Sequence, residues 1–318
     1  MRPTKEPAIL TVADVRESPA GDAIEVLFNE RQQIYTLPRA ASAREMAHGR
    51  LRDALDRKVP VKAMLNPRRG VVERVTEPAE RELRDFEKLR IPLENPEKTM
   101  RIDVSRIDPT TFNIVDYYLK VPCFKLCTKV IPSYKVAKDI FDFCAAQSCH
   151  LPGPYAISPC IPFQYVRDGC YARAHKMRQI IEEQYGYCSE KVFSFALGDD
   201  TLAVRANKWG GCCVWWWYHV APLVRVRVRI KLPPFVNLDF TLAMVIDPSM
   251  FDKPVLLSTW LMAQEEKTCA DYAKVTMYSI QPSSAYWPSG GPNSFGTDPT
   301  YALTNQTLLD YKNMTTCP

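Results

Sequence analysis

Within Cys160 to Cys188, "CIPFQYVRDGCYARAHKMRQIIEEQYGYC", an irregular segment containing Pro162 and Gly169 delivers Cys170 to the first turn of an amphipathic helical run. The thiolate, not the thiol, is the nucleophile, and the unpaired N–H groups and dipole at a helix N-terminus favour the thiolate. Gly169 permits a tight turn and close backbone approach, so the Cys170 N–H is also placed to stabilise an oxyanion. The bland alternative is a half-cystine or a buried thiol, the ordinary fate of a cysteine in a cysteine-rich chain.

A nucleophilic cysteine needs a base, and the chain offers four histidines. His48 falls on a solvated helix face, and His150 neighbours Cys149 in a loop. His175 follows Cys170 by five residues on one helix, which turns it about 140° away from the thiol. His219 remains. It lies in the aromatic and β-branched run "CCVWWWYHVAPLV", where a polar ring between Tyr218 and Val220 needs a partner, either a catalytic one or a backbone carbonyl. "LAMVIDPSMF" ends an apolar run at Asp247, where a carboxylate could hold the imidazole's tautomer. Asp before Pro is also ordinary turn chemistry. Cysteine, then histidine on one strand, then aspartate on the next is the order of transglutaminase-like and papain-like cysteine enzymes.

The elements that must position these groups divide by texture. Residues 8–75 alternate strand-like runs (Ile9 to Val15, Ile24 to Phe28, Gln33 to Leu37, Val59 to Leu65, Val71 to Val75) with the helical run "ASAREMAHGRLRDALDRK". A second helical run, "EPAERELRDFEKLR", follows Pro78 as an N-terminal proline. "IPLENPEKTMRIDVSRIDPTTF" carries three prolines and many charges without periodicity, and reads as an exposed linker. Beyond it "SYKVAKDIFDFCAAQ" and the segment after Cys170 are helical, whereas "CCVWWWYHVAPLVRVRVRIKL" and "FTLAMVIDP" are strand-like.

At 318 residues, 46% hydrophobic and 24% charged, the chain can bury one large or two ordinary cores. A net charge of +5 with scattered Lys and Arg speaks against nucleic acid, and no apolar run is long enough for a membrane helix. All eleven cysteines lie after residue 120, which favours an oxidising compartment and a secreted or periplasmic protein whose targeting segment lies outside this sequence. An odd count allows five disulfides and one free thiol, taken to be Cys170. Adjacent Cys212 and Cys213 are expected to bond to different partners, since vicinal bridges are strained. Zinc is the rival for Cys123-xxx-Cys127 and Cys144-xxxx-Cys149-His150, but neither is a paired CxxC pattern, so no metal or other cofactor is expected.

"DGCYARAHKMRQI", "CCVWWWYHVA" and "VIDPSMF" together resemble the bacterial protein-glutaminase family, secreted protein-glutamine deamidases. The resemblance extends through "IPSYKVAKDIFDFCAAQSC", "SPCIPFQY" and "GYCSEKVF", and reaches the cysteine-free half, where "IEVLFNERQQIYTLP" and "LRDALDRKVPVKAMLNP" look like that family's pro-region. It implies an α+β fold: a transglutaminase/papain-like core, its nucleophile helix packed on an antiparallel sheet, preceded by a small α+β pro-domain. It implies residues 1–90 as an inhibitory pro-region, 91–130 as linker or insertion and 131–318 as the catalytic domain. Cys170 then stands as nucleophile, His219 as base and Asp247 as its orienter. Residues 93–130 and the long connection "RVRVRIKLPPFVNLDF" depart from the family pattern.

The implied reaction is two-step acyl transfer through a thioester, converting protein-bound glutamine to glutamate and ammonia. The implied partners are glutamine-bearing proteins and an activating protease, with the enzyme a monomer. A transglutaminase, a cysteine protease, a diverged deamidating effector and a catalytically silent binding protein stay open. In "FNERQQIYTLP", a strand laid across the cleft like substrate would turn either Gln32 or Gln33 to the thiol, because alternate side chains face opposite ways. Alignment with the family's pro-region favours Gln32, and the alternative is two solvent-facing residues near a turn.

Overall fold

The computed structural model describes residues 5–37, 41–92, 100–103, 129–232 and 236–317. The cysteine-free half forms a closed barrel from β1 (Glu6–Glu17), β2 (Ile24–Phe28), β3 (Tyr35–Thr36), β4 (Pro60–Asn66) and β5 (Val71–Thr76), in the order β1-β2-β3-β5-β4. Alternation builds it: in β4, Val61, Ala63 and Leu65 turn inward to meet Leu10, Val26, Phe28 and Val72. Helix α1 (Ala41–Arg57) covers the barrel with Leu51 and Ala54. Closure leaves no unpaired edge for another chain to join. Helix α2 (Glu80–Leu89) starts after Ala79, whose N–H donates to the Glu82 carboxylate at 2.9 Å, so Pro78 sits just outside the helix rather than as its first residue.

The second half is built on a six-stranded antiparallel sheet, order β13-β12-β11-β8-β14-β7. Its strands are β7 (Met100–Asp103), β8 (Glu190–Phe195), β11 (Tyr218–Leu232), β12 (Val236–Val245), β13 (Val255–Leu256) and β14 (Met277–Gln281). Every residue of β8 is buried, because α3 (Tyr134–Ala146) and α4 (Cys170–Tyr185) cover one face and α5 (Leu257–Met262) the other. β9 (Leu202–Arg205) pairs with β10 (Cys213–Trp216), while β15 (Ala285–Pro288) and β16 (Phe295–Thr297) form a small sheet with β6 (Ile91–Pro92). Helix α6 (Ala302–Tyr311) packs against α4.

Three expectations need correction. The region read as an exposed linker supplies two strands, β6 and β7, to the sheets of the second half. Edge pairing is a main-chain interaction that side-chain periodicity cannot signal. The run read as one strand around His219 is two, β10 and β11, because the chain changes sheets at Trp217. The expected strand from Gln33 to Leu37 shrinks to Tyr35–Thr36, with Gln33 in an isolated bridge to Trp216.

The cysteine reading also changes. Cys149–Cys160, Cys212–Cys317 and Cys213–Cys269 are disulfides, and Cys188 is disulfide-bonded as well. Cys212 and Cys213 thus take different partners, and the bond to Cys160 removes Cys149 from any zinc set. Cys144 is free alongside Cys170, so Cys170 is not the lone thiol. Cys144 packs among Ile140, Phe141 and Ile161 as a small apolar residue, and burial pushes its thiol pKa far up. Cys123 and Cys127 lie outside the described residues.

Candidate active site

Cys170 is the first residue of α4, and the preceding Gly169 takes φ +81°, the left-handed region that favours glycine. A Cβ there would lie 2.8 Å from the Tyr311 ring, so both backbone and space demand glycine. Asp168 anchors the turn. Its Oδ1 accepts from the Gly169 N–H at 2.8 Å and its Oδ2 from the Tyr311 hydroxyl at 2.7 Å. Arg173, one turn into α4 and buried, donates to the carbonyls of Tyr165 and Asp168 at 2.7 and 2.6 Å, fixing the loop from below.

His219 is the second residue of β11, paired with Ser194 of β8. Its ring is held between two indoles, Trp216 at 4.5 Å and Trp260 at 5.3 Å, both nearly parallel to it. Asp247 follows the end of β12, and its Oδ2 lies 2.8 Å from His219 Nε2. The same oxygen accepts from Trp260 Nε1 at 3.0 Å, while Oδ1 accepts from the Ser249 N–H and hydroxyl. Burial alone would push the Asp247 carboxyl up, but these hydrogen bonds outweigh it and hold its pKa below the usual range. An ionised Asp247 requires His219 Nε2 to carry the proton, leaving Nδ1 as an acceptor.

The structure brings Cys170, His219 and Asp247 together with Gln32. Gln32 is fully buried, its Nε2 lies 2.9 Å from His219 Nδ1, and its Oε1 accepts from the Cys170 N–H at 3.3 Å. The tautomer of His219 fixes the amide's direction: carbonyl oxygen at the helix N-terminus, nitrogen at the imidazole. The Gln32 main chain is gripped too, its N–H by Asp168 Oδ1 at 2.9 Å and its carbonyl by the Trp217 N–H at 3.3 Å. Gln33 points the other way, donating to the Pro67 carbonyl at 3.0 Å. The segment carrying Gln32 is the loop joining β2 to β3, not an extended strand, and it is held by Trp217 Nε1 donating to the carbonyls of Phe28 and Arg31.

Electrostatics match a closed site. Burial pushes the Cys170 thiol well up, against the lowering influence of Arg173 and of the Val220 N–H, which donates to the sulfur. Burial pushes the His219 pKa down, with Asp247 opposing. A neutral thiol and a neutral imidazole therefore face the glutamine amide.

The other histidines lie elsewhere. His175 donates from Nε2 to the Asp298 carbonyl at 3.0 Å and accepts from Lys191 at 2.7 Å; His150 is exposed beside Trp209; His48 is half-buried on α1. Asp168, Trp216, Trp260 and Ser249 join the site without being marked as site residues by the sequence. The Asp-Gly pair before Cys170 and the tryptophan cluster before His219 were the available signals, whereas nothing in sequence ties Trp260 to Asp247. Among the described residues no group of three or more His, Cys, Asp or Glu could hold a metal ion.

Comparisons with known proteins find likeness over both halves of the chain. A family model described as "Glutaminase" matches residues 137–264, which carry Cys170, His219 and Asp247. A crystal structure of pro-protein-glutaminase is 28% identical, covers 99% of this chain and 95% of its own, and superposes with a TM-score of 0.68. A mutant of pro-protein-glutaminase is 29% identical over 97% of this chain and 93% of its own, also at 0.68. The NMR structure of protein-glutaminase from Chryseobacterium proteolyticum is 36% identical over 59% of this chain and 91% of its own, at 0.49. Comparison with curated proteins yields no match. With both halves matched by the pro-form and the Cys170 helix inside the matching family model, the chain belongs to the protein-glutaminase family.

Proposed function

We propose that this chain is the zymogen of a protein-glutamine deamidase, with Cys170 as nucleophile, His219 as acid and base, Asp247 as orienter of the imidazole and Gln32 in the place of substrate. One observation carries the reading: a glutamine side-chain amide is clamped with its oxygen on the Cys170 N–H and its nitrogen on His219 Nδ1. Residues 1–90 act as the inhibitory half and 131–318 as the catalytic half, joined by β7, and the helix-on-sheet core is of the transglutaminase-like kind. Disulfides fit an oxidising compartment and secretion. A protease that cuts between the halves would activate the enzyme.

In the open site, water replaces the pro-half and relieves the burial that keeps the thiol and imidazole neutral, so proton transfer from the thiol to His219 Nδ1 becomes accessible as the sulfur attacks. The Cys170 sulfur attacks the side-chain carbonyl carbon of a protein-bound glutamine, and the Cys170 N–H receives the negative oxygen. His219 protonates the departing nitrogen, giving ammonia and a thioester. Water, deprotonated by His219, then releases glutamate. Peptide-bond cleavage fits less well, because the Gln32 backbone carbonyl faces the Trp217 N–H rather than the Cys170 N–H.

The test is the full chain cut by limited proteolysis within 93–99 and given a glutaminyl protein. Ammonia release with the mass gain of deamidation, and none from Cys170→Ala, is expected. Crosslinked product would assign a transglutaminase, shortened product a protease, and silence of the cut wild-type chain a binding protein.

A further inference from the structure

The residue next to Gln32 also reaches the catalytic half, through an ion pair and one hydrogen bond. Arg31 Nε lies 3.4 Å from Asp168 Oδ2, and its Nη1 donates to the Tyr171 hydroxyl at 3.1 Å. Asp168 and Tyr171 belong to the half that carries Cys170. The other partners of the guanidinium, Glu6 at 3.3 Å and the Glu30 carbonyl at 3.2 Å, belong to the barrel half. Asp168 is fully buried, and the same carboxylate accepts the Gln32 N–H at 2.9 Å. One side chain, two residues before the nucleophile, thus meets both the peptide N–H of the glutamine and the charge of the residue before it.

When the barrel departs, Asp168 keeps the Gly169 N–H and the Tyr311 hydroxyl but loses its cation. The Arg173 guanidinium donates to the Asp168 main-chain carbonyl, leaving the carboxylate charge uncompensated there. A substrate that covers Asp168 again takes its carboxylate out of water, and a buried carboxylate without a cation is costly, so a ligand that brings one is favoured over one that does not. A bidentate or forked guanidinium can reach Asp168 and the Tyr171 hydroxyl together, which a lysine ammonium does less well.

Resting on the reading of Gln32 as substrate mimic, we infer that Asp168 is a specificity-determining residue: it takes the glutaminyl N–H and selects substrates in which arginine precedes the glutamine. The substrate class is therefore basic-Gln sequences in polypeptides, with an acidic residue before the glutamine disfavoured by repulsion from Asp168. The Gln33 bridge to Trp216 and the Trp217 N–H on the Gln32 carbonyl continue the same main-chain grip on the other side of the glutamine.

The experiment compares three acetylated peptides, Ala-Arg-Gln-Gly, Ala-Ala-Gln-Gly and Ala-Glu-Gln-Gly, as substrates of the proteolytically cut full chain. The Arg peptide should exceed the Ala peptide about tenfold in kcat/KM, chiefly through KM, as one charge-assisted contact implies. The Glu peptide should be poorest, and raising salt should narrow the series. Asp168→Asn should bring the Arg-to-Ala ratio close to one, and Tyr171→Phe should reduce it without abolishing it. An N-methyl group on the glutaminyl nitrogen of the Arg peptide should raise KM. Equal turnover of the three peptides by the wild-type chain overturns the inference even if neither variant folds. No turnover of any of them, with no release from a glutaminyl protein, instead overturns the deamidase reading.

Discussion

The two halves reach stability by different means. The barrel half contains no cysteine, and fifteen buried apolar residues, a closed sheet and one covering helix form its core. The second half buries Asp168, Arg173, His175, Lys176, Lys191, His219 and Asp247, and is cross-linked by disulfides that include a span of 105 residues. Buried charge costs several kcal/mol unless paired, so a core holding these polar groups gives up stability that covalent links restore. The barrel has buried polar residues as well: Arg16 of β1 pairs with Glu25 of β2 at 2.9 Å, while Glu30, Gln32 and Gln33 sit on the loop that enters the other half. Docking, not barrel folding, buries Gln32.

The strongest way to break this comparison is at the chemistry. After cleavage of the chain, Cys170→Ala or His219→Ala should lower turnover on the order of 10⁶-fold, and Asp247→Ala on the order of 10⁴-fold, because such residues act as a unit. Ammonia assays would read this, with circular dichroism to show that the fold persists. Near-normal turnover of Cys170→Ala would remove the distinction between a catalytic and an inhibitory half.

Next comes the covalent difference. Replacing Cys212 and Cys317 by serine should destabilise the second half by about 4–5 kcal/mol on the chain-entropy account of a loop of this length. Hydrogen exchange should show lost protection in β8 and β11 and unchanged protection at Val61, Ala63 and Leu65. Equal loss in the barrel would mean that the halves unfold as one cooperative unit.

Gln32→Ala sharpens the comparison at the contact itself. It leaves the Cys170 N–H and His219 Nδ1 without their amide partner, a loss of about 1–3 kcal/mol. Residual activity of the uncut chain should rise ten- to a hundredfold on a small glutaminyl peptide, and no rise would exclude Gln32 as the plug.

The smallest effect is in pH. His219 has its pKa lowered by burial, so its contribution to the closed form is complete above its ordinary 6.5 and is lost as pH falls below that. Cys170 has its pKa raised by burial, so its contribution is complete below its ordinary 9.0 and is lost as pH rises above that. Docking of the barrel should therefore be tightest between about 6.5 and 9, which protease susceptibility of the uncut chain across pH would measure. Weakest docking inside that window would contradict these shifts.

The proposed trio of Cys170, His219 and Asp247 is legible as a set of candidates because each member sits in a local pattern with a chemical meaning: glycine then cysteine at a helix start, histidine amid tryptophans, aspartate at a strand end. Barrel strands were legible by alternation, as in Val61, Ala63 and Leu65. What escaped was set by tertiary contact. Trp260 reaches Asp247 from a helix thirteen residues on, β7 joins the sheet through its backbone, and the chain switches sheets at Trp217. The odd cysteine count also misled, since Cys144 is a core residue whose burial no spacing reveals.

Barrel closure has a further consequence once the chain is cut. An inhibitor with its own closed core does not dissolve into random coil on release, so it persists as a competent ligand for the cleft. While tethered, such a module experiences an effective concentration of about millimolar; once severed, only its bulk concentration counts. Activation is then a matter of dilution: a cut enzyme in a confined volume stays largely occupied, and the same molecule dispersed into a large volume is free.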